Sequence, residues 1–173
     1  MIEGMELDGS TLGAWVEGEL AKVPDERVTS HIRRLLVEPS IVLRLWDYGE
    51  PGQRYPCWTV LDNTPHSDTC IAYCASGLGP RCPWGLVWVG DDVDGVRGSM
   101  GMGSGWYYTF MDAFFASFAA TALPIWRVFK EQPEGSMTPV TEEGEWAATW
   151  RQRDAIQAGD PASRYDVDHS IAV

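Results

Sequence analysis

The sequence predicts an α+β fold, on three observations. Apolar residues recur at helical spacing near both ends of the chain. β-Branched and aromatic runs, separated by turn residues, fill the middle. The two kinds of segment are segregated rather than alternating, which argues against a doubly wound parallel sheet. The expected architecture is an antiparallel β-meander of four to five strands with two N-terminal helices. One very apolar helix packs on that sheet, and a C-terminal helical extension follows. Residues 1–130 form a single α+β domain in this reading, and 131–173 form the extension.

The first helix begins at Ser10 and places Leu12, Trp15, Val16, Leu20 and Val23 on one stripe, until Pro24 breaks it. Asp25 can cap a second helix with Val28, Ile32, Leu35 and Leu36 on one face, ended by Pro39. The period then changes. Strands are expected at 41–47, 56–61, 69–75 and 84–89, joined by turns at 48–52 and 62–68 and a Gly/Pro-rich connection at 76–83. A Gly-rich stretch, 90–105, leads into an apolar helix at about 106–120 and a short strand at 125–130. In the tail the best element is a helix near 141–157, started by Thr141, with Trp146 and Trp150 one turn apart.

Charge excludes some functions. Of the net −12, residues 1–26 contribute −6 and residues 131–173 another −6, around an electroneutral middle. No basic face is available for phosphates, so nucleic acid is excluded as a partner. Anionic membrane surfaces are excluded for the same reason. Residues 106–123 have the minimum length for a membrane span, but Asp112 lies near the centre, where a charge is costly. A buried helix is expected there instead.

The four cysteines are Cys57, Cys70, Cys74 and Cys82. The acidic N-terminus carries no apolar run typical of an export signal, so the expected location is the cytoplasm and the expected state is free thiols. His66, Cys70, Cys74 and Cys82 resemble a ligand set, yet Cys70 and Cys74 lie within one strand. Four strand residues span about 13 Å, too far for two ligands of one metal ion. No metal is expected. A turn centred near Pro65–His66 instead sets Cys57 across from Cys74, as two facing thiols that stay reduced in a reducing compartment.

Gly95, Gly98, Gly101, Gly103 and Gly105 precede the apolar helix, where backbone N–H groups can hold an anion. Neither a P-loop nor G-x-G-x-x-G fits them, and no cofactor is expected. Asp91, Asp92 and Asp94 lack the rest of a calcium loop and read as a solvated acidic turn. No histidine has the neighbours of a catalytic site, and Pro83-Trp84-Gly85-Leu86 resembles no family signature.

The nine tryptophans carry the remaining signal. On strand 84–89, Trp84, Leu86 and Trp88 share one face and Val87 and Val89 the other, so the sheet is apolar on both sides. Helices or another protein must cover both faces. Trp84, Trp88, Ser104, Trp106, Tyr107 and Asp112 are the candidate contact residues. Catalysis has no assembled signature. The expectation is therefore a non-catalytic protein-binding module, such as a small bacterial inhibitor, immunity-type or adaptor protein, with a basic protein as partner. The alternative is a small-molecule enzyme or ligand binder, with a pocket between the sheet and the 106–120 helix.

Overall fold

The computed structural model describes residues 7–63, 67–79, 81–89, 92–93, 96–97, 99–100 and 105–171. The chain divides into two compact units, Met1–Ala119 and Ala120–Val173, each with a sheet of its own. It is α+β, as the segregation of segments predicts. The first unit runs α1 (Gly9–Leu20), α2 (Glu26–Leu35), β1 (Leu36–Trp46), β2 (Arg54–Asp62), β3 (Thr69–Tyr73) and β4 (Trp84–Trp88). Four short strands follow: β5 (Asp92–Val93), β6 (Val96–Arg97), β7 (Ser99–Met100) and β8 (Gly105–Tyr107). Helix α3 (Phe110–Ala116) closes it, and a 3₁₀ turn (Phe118–Ala122) carries the chain across the boundary between the units.

The helix starts follow local chemistry. Asp8 accepts from Thr11 N at 2.7 Å, and Asp25 accepts from Arg27 N at 2.9 Å, each supplying an acceptor to a helical N–H that lacks one. Leu12, Val16 and Leu20 then bury one face of α1, and Val28 and Ile32 bury one face of α2. Helix α2 ends at Leu35, short of the expected Pro39, because Leu36 is already extended and opens β1. Pro39 lies inside that strand, where the register with β2 slips between Leu36 and Ser40. A residue without an N–H is accommodated at such an irregularity.

Strands β1 to β4 form the expected antiparallel meander, extended on one edge by β8 and on the other by β7, which runs parallel to β1. A flat version of this order would set β7 and β8 five strand spacings apart, about 24 Å. The five residue steps from Met100 to Gly105 reach about 18 Å at most. The sheet must therefore curl. Arg44 on β1 accordingly reaches across to Trp88 O on β4, with Nη1 at 2.8 Å.

Curling gives the sheet an outer and an inner face. The outer face packs under the helices, with Trp84 edge-on to Phe110 at 5.5 Å and to Tyr73 at 5.2 Å. The inner face encloses Cys57, Cys70, Ala72, Cys74, Val87 and Met100, with Trp46, Tyr55 and Trp106 against them. The second apolar face is thus covered by the sheet itself.

The apolar segment 106–123 is not one helix. Trp106 and Tyr107 belong to β8, where Trp106 pairs with Gly85 and Tyr107 with Trp84. Thr109 then starts α3 through a reciprocal cap, its Oγ1 accepting from Asp112 N at 3.0 Å while Asp112 accepts from Thr109 N at 3.3 Å. Glu19 of α1 receives Phe110 N at 3.3 Å and Met111 N at 3.0 Å, tying the two helices together. No helix among the described residues is long and apolar enough to cross a membrane.

The second unit contains β9 (Trp126–Glu131), β10 (Met137–Pro139), α4 (Trp146–Gly159) and β11 (Tyr165–His169). The strand expected at 125–130 is β9, but it joins a three-stranded sheet in the order β10-β9-β11 rather than the meander. The tail is therefore built of paired strands as well as a helix. The helix starts at Trp146, five residues after Thr141. Thr141 Oγ1 instead accepts from Val128 N at 3.0 Å, and Gly144 bridges to Trp126, so these residues continue the sheet edge. Trp126, Val128 and Tyr165 are buried on the α4 side.

Candidate functional site

The six sequence-derived candidates do not converge. Trp84 and Tyr107 face each other across the β4–β8 ladder on the outer face, whereas Trp106 points inward. Trp84 is only 4% exposed, wedged between Tyr73 and Phe110. Asp112 is spent on the α3 cap. Trp106 lies so close over Gly77 and Gly85 that a Cβ on Gly85 would sit 2.7 Å from its ring. Trp88 is 54% exposed, and Asp112 is exposed too. Ser104 lies outside the described residues, as do Asp91, Asp94 and most of the glycine cluster.

On the inner face four groups meet: the facing pair Cys57 and Cys74 that the hairpin register predicts, and Met100 and Arg44, which it does not. Cys57 and Cys74 follow the Trp58–Tyr73 pair by one step of the β2–β3 register, so they are opposite each other. The Cys57 thiol donates to Met100 Sδ at 3.2 Å. The facing Cys74 thiol, together with burial, pushes the Cys57 thiol up. The Cys57 thiol in turn holds the Cys74 thiol below its ordinary value, helped by the Ser76 backbone and the Arg44 charge. Arg44 itself is 1% exposed.

The second unit carries a groove that sequence reasoning missed. Strand alternation sends Trp126, Val128 and Lys130 toward α4 and leaves Arg127, Phe129 and Glu131 on the other face. Phe129 is directly opposite Asp166 on β11, Arg127 opposite Asp168, and Glu131 opposite Met137 on β10. Directly opposed residues share a face. Of these, Phe129, Glu131, Met137, Asp166 and Asp168 line a groove of about 480 Å³. Phe129 and Met137 supply its apolar surface, and Glu131, Asp166 and Asp168 its carboxylates. Arg164 closes one end, 3.1 Å from Glu131. His169 flanks the other, its Nδ1 3.0 Å from Ile171 O.

The groove has a firm back. Asp160 accepts from Tyr165 Oη at 2.8 Å and from Lys130 Nζ at 3.2 Å, and Arg153 Nε donates to Tyr165 O at 3.0 Å. Hydrogen bonds from Ser163, Tyr165 and Lys130 hold the Asp160 carboxyl at about 2. A depressed carboxyl pKa means this anchoring of β11 is complete above the ordinary Asp value and is lost as pH falls toward about 2. The sequence signal for the groove was Asp166-Val167-Asp168, an alternation with both acids on one side of a strand. It stayed hidden because the segment's partner strand lies 35 residues earlier in the chain.

The chain matches no protein family, no curated protein and no solved structure.

Proposed function

We propose that this chain is a non-catalytic protein-binding module, of the inhibitor, immunity or adaptor kind, and that the β9–β11 groove takes an extended basic segment of its partner. The carrying observation is the groove itself: Phe129 and Met137 beside Glu131, Asp166 and Asp168, in a volume of about 480 Å³. Asp166 and Asp168 are two residues apart on one strand face, about 6.8 Å along it. Alternate side chains of an extended peptide have the same spacing, so two lysines and an intervening apolar contact fit the pattern. Structural use of Trp84 and Asp112 weighs against the alternative of a catalytic pocket between sheet and helix. A cytoplasmic setting belongs to this reading, and the free state of all four cysteines supports it.

Titration by NMR with a five-residue peptide alternating lysine and leucine tests the proposal. Shifts should centre on Phe129, Asp166 and Asp168. Affinity should weaken about tenfold between low and high salt, and by a similar factor in D166N/D168N. Equal binding of a peptide with glutamate in place of lysine would overturn the proposal, as would shifts confined to other surfaces.

A further inference from the structure

We propose that Cys57 and Cys74 form an oxidisable dithiol, closed to a disulfide by a small peroxide. The geometry carries this. The two residues are directly opposed across β2 and β3, their side chains on the same inner face, and nothing has to be carried from elsewhere in the fold to join them. The strand register sets the other two cysteines elsewhere: Cys70 is opposite Asp62 on one side and Val87 on the other, and Cys82 is half-buried beyond the strand. Both members of the pair are fully buried. The oxidant must therefore be small, which selects hydrogen peroxide over a bulky disulfide.

The two sulfurs take different parts. Cys74, whose thiol is held below its ordinary value by the facing Cys57 thiol, the Ser76 backbone and the Arg44 charge, is the attacking sulfur. It attacks one peroxide oxygen, the O–O bond breaks, and the departing hydroxide takes up the Cys74 proton as water. Cys74 is then a sulfenic acid. The Cys57 sulfur attacks that sulfur, the S–S bond forms and the S–O bond breaks. The second hydroxide leaves as water with the Cys57 proton. Two thiols and one peroxide give one disulfide and two waters, with two electrons passed from sulfur to oxygen. Met100 Sδ, 3.2 Å from Cys57 Sγ, is the competing site for the same oxidant.

Intact-mass analysis of the whole chain after brief exposure to dilute hydrogen peroxide tests this. A loss of 2 Da should appear, mapped by non-reducing peptide analysis to a bridge between Cys57 and Cys74 and reversed by dithiothreitol. The bridge closes a loop of sixteen intervening residues, and should raise the thermal midpoint by about 5 °C. The C70A/C82S variant should lose the same 2 Da, whereas C57S and C74S should not. A 2 Da loss mapping to any other pair overturns the proposal. So does a gain of 16 Da on Met100 or of 32 Da on Cys74 with no bridge formed. An unchanged mass under conditions that oxidise a reference dithiol protein overturns it as well.

Discussion

The two faces of the β1–β4 sheet solve the same problem in different ways. Outward, the strands present large rings and aliphatics, and the buried stripes of α1, α2 and α3 cover them, with Trp84 meeting Phe110 at the centre. Inward, the buried side chains are mostly small or sulfur-bearing, Cys57, Cys70, Ala72, Cys74 and Met100, with the rings of Trp46, Tyr55 and Trp106 packed against them. A tightly curled sheet has little room inside, which favours small residues where strands approach. Arg44 is the buried charge of this face, and its length spans from β1 to the Trp88 carbonyl on β4. A layered core is tolerant of shape because helices can shift. A closed interior is bounded by hydrogen-bonded backbone and has no such slack.

Truncation on the outer face should show the largest single effect. Phe110 is fully buried, and Phe110→Ala removes most of the ring contact between α3 and the sheet. A loss of about 3–5 kcal/mol is expected by urea denaturation. A loss below about 1 kcal/mol would mean that α3 contributes little to the layer. Inside, Arg44→Ala should cost about 2–4 kcal/mol, since it opens a cavity and leaves the Trp88 carbonyl without this donor. Arg44→Met fills most of that volume and should recover at least half the loss. Equal losses in both variants would show that the inner face depends on the guanidinium rather than on filled space.

Legibility in the sequence divides along the same line. The outer layer was readable because amphipathic stripes and strand alternation are local: Leu12, Val16 and Leu20 announce their face without reference to the sheet. The curl was not. It follows from the small number of residues between β7 and β8, two-residue and three-residue strands that no periodicity can mark. Trp106 and Tyr107 read as the first turn of a helix because they adjoin an apolar run. Gly85 and Gly77, distant in sequence, are what make a strand and an inward ring possible there. The Cys57–Cys74 opposition was legible, since a single hairpin register fixes it. The groove of the second unit was not, since β11 pairs back onto β9 across the whole of α4.

Gly85→Ala probes the closed interior most directly, because its Cβ would meet the Trp106 ring at 2.7 Å. The variant should lose about 1–3 kcal/mol. In a Trp106→Leu background the same substitution should cost less than half as much, and the coupling measured by a double-mutant cycle should exceed about 0.5 kcal/mol. Additive effects would mean that the backbone moves aside, contrary to a rigid inner wall. The outer layer has its own polar tie in Glu19. Glu19→Gln keeps one acceptor for the α3 N-terminus and removes the charge, so a loss of about 1 kcal/mol is expected, smaller in high salt.

The smallest effect should fall where the outer face runs past its helices. Ile41, Leu43 and Leu45 share the outward side of β1 and are 52%, 42% and 42% exposed. With so much of each side chain already in water, Leu43→Thr loses little burial and gains a β-branched residue suited to a strand. The expected change is within about 0.5 kcal/mol, as for ordinary surface positions. A loss above about 1.5 kcal/mol, approaching that of a buried aliphatic, would show that this edge is covered in solution. The outer face would then be closed along its whole width, as the inner face is, and the contrast between them would narrow to the chemistry of their side chains.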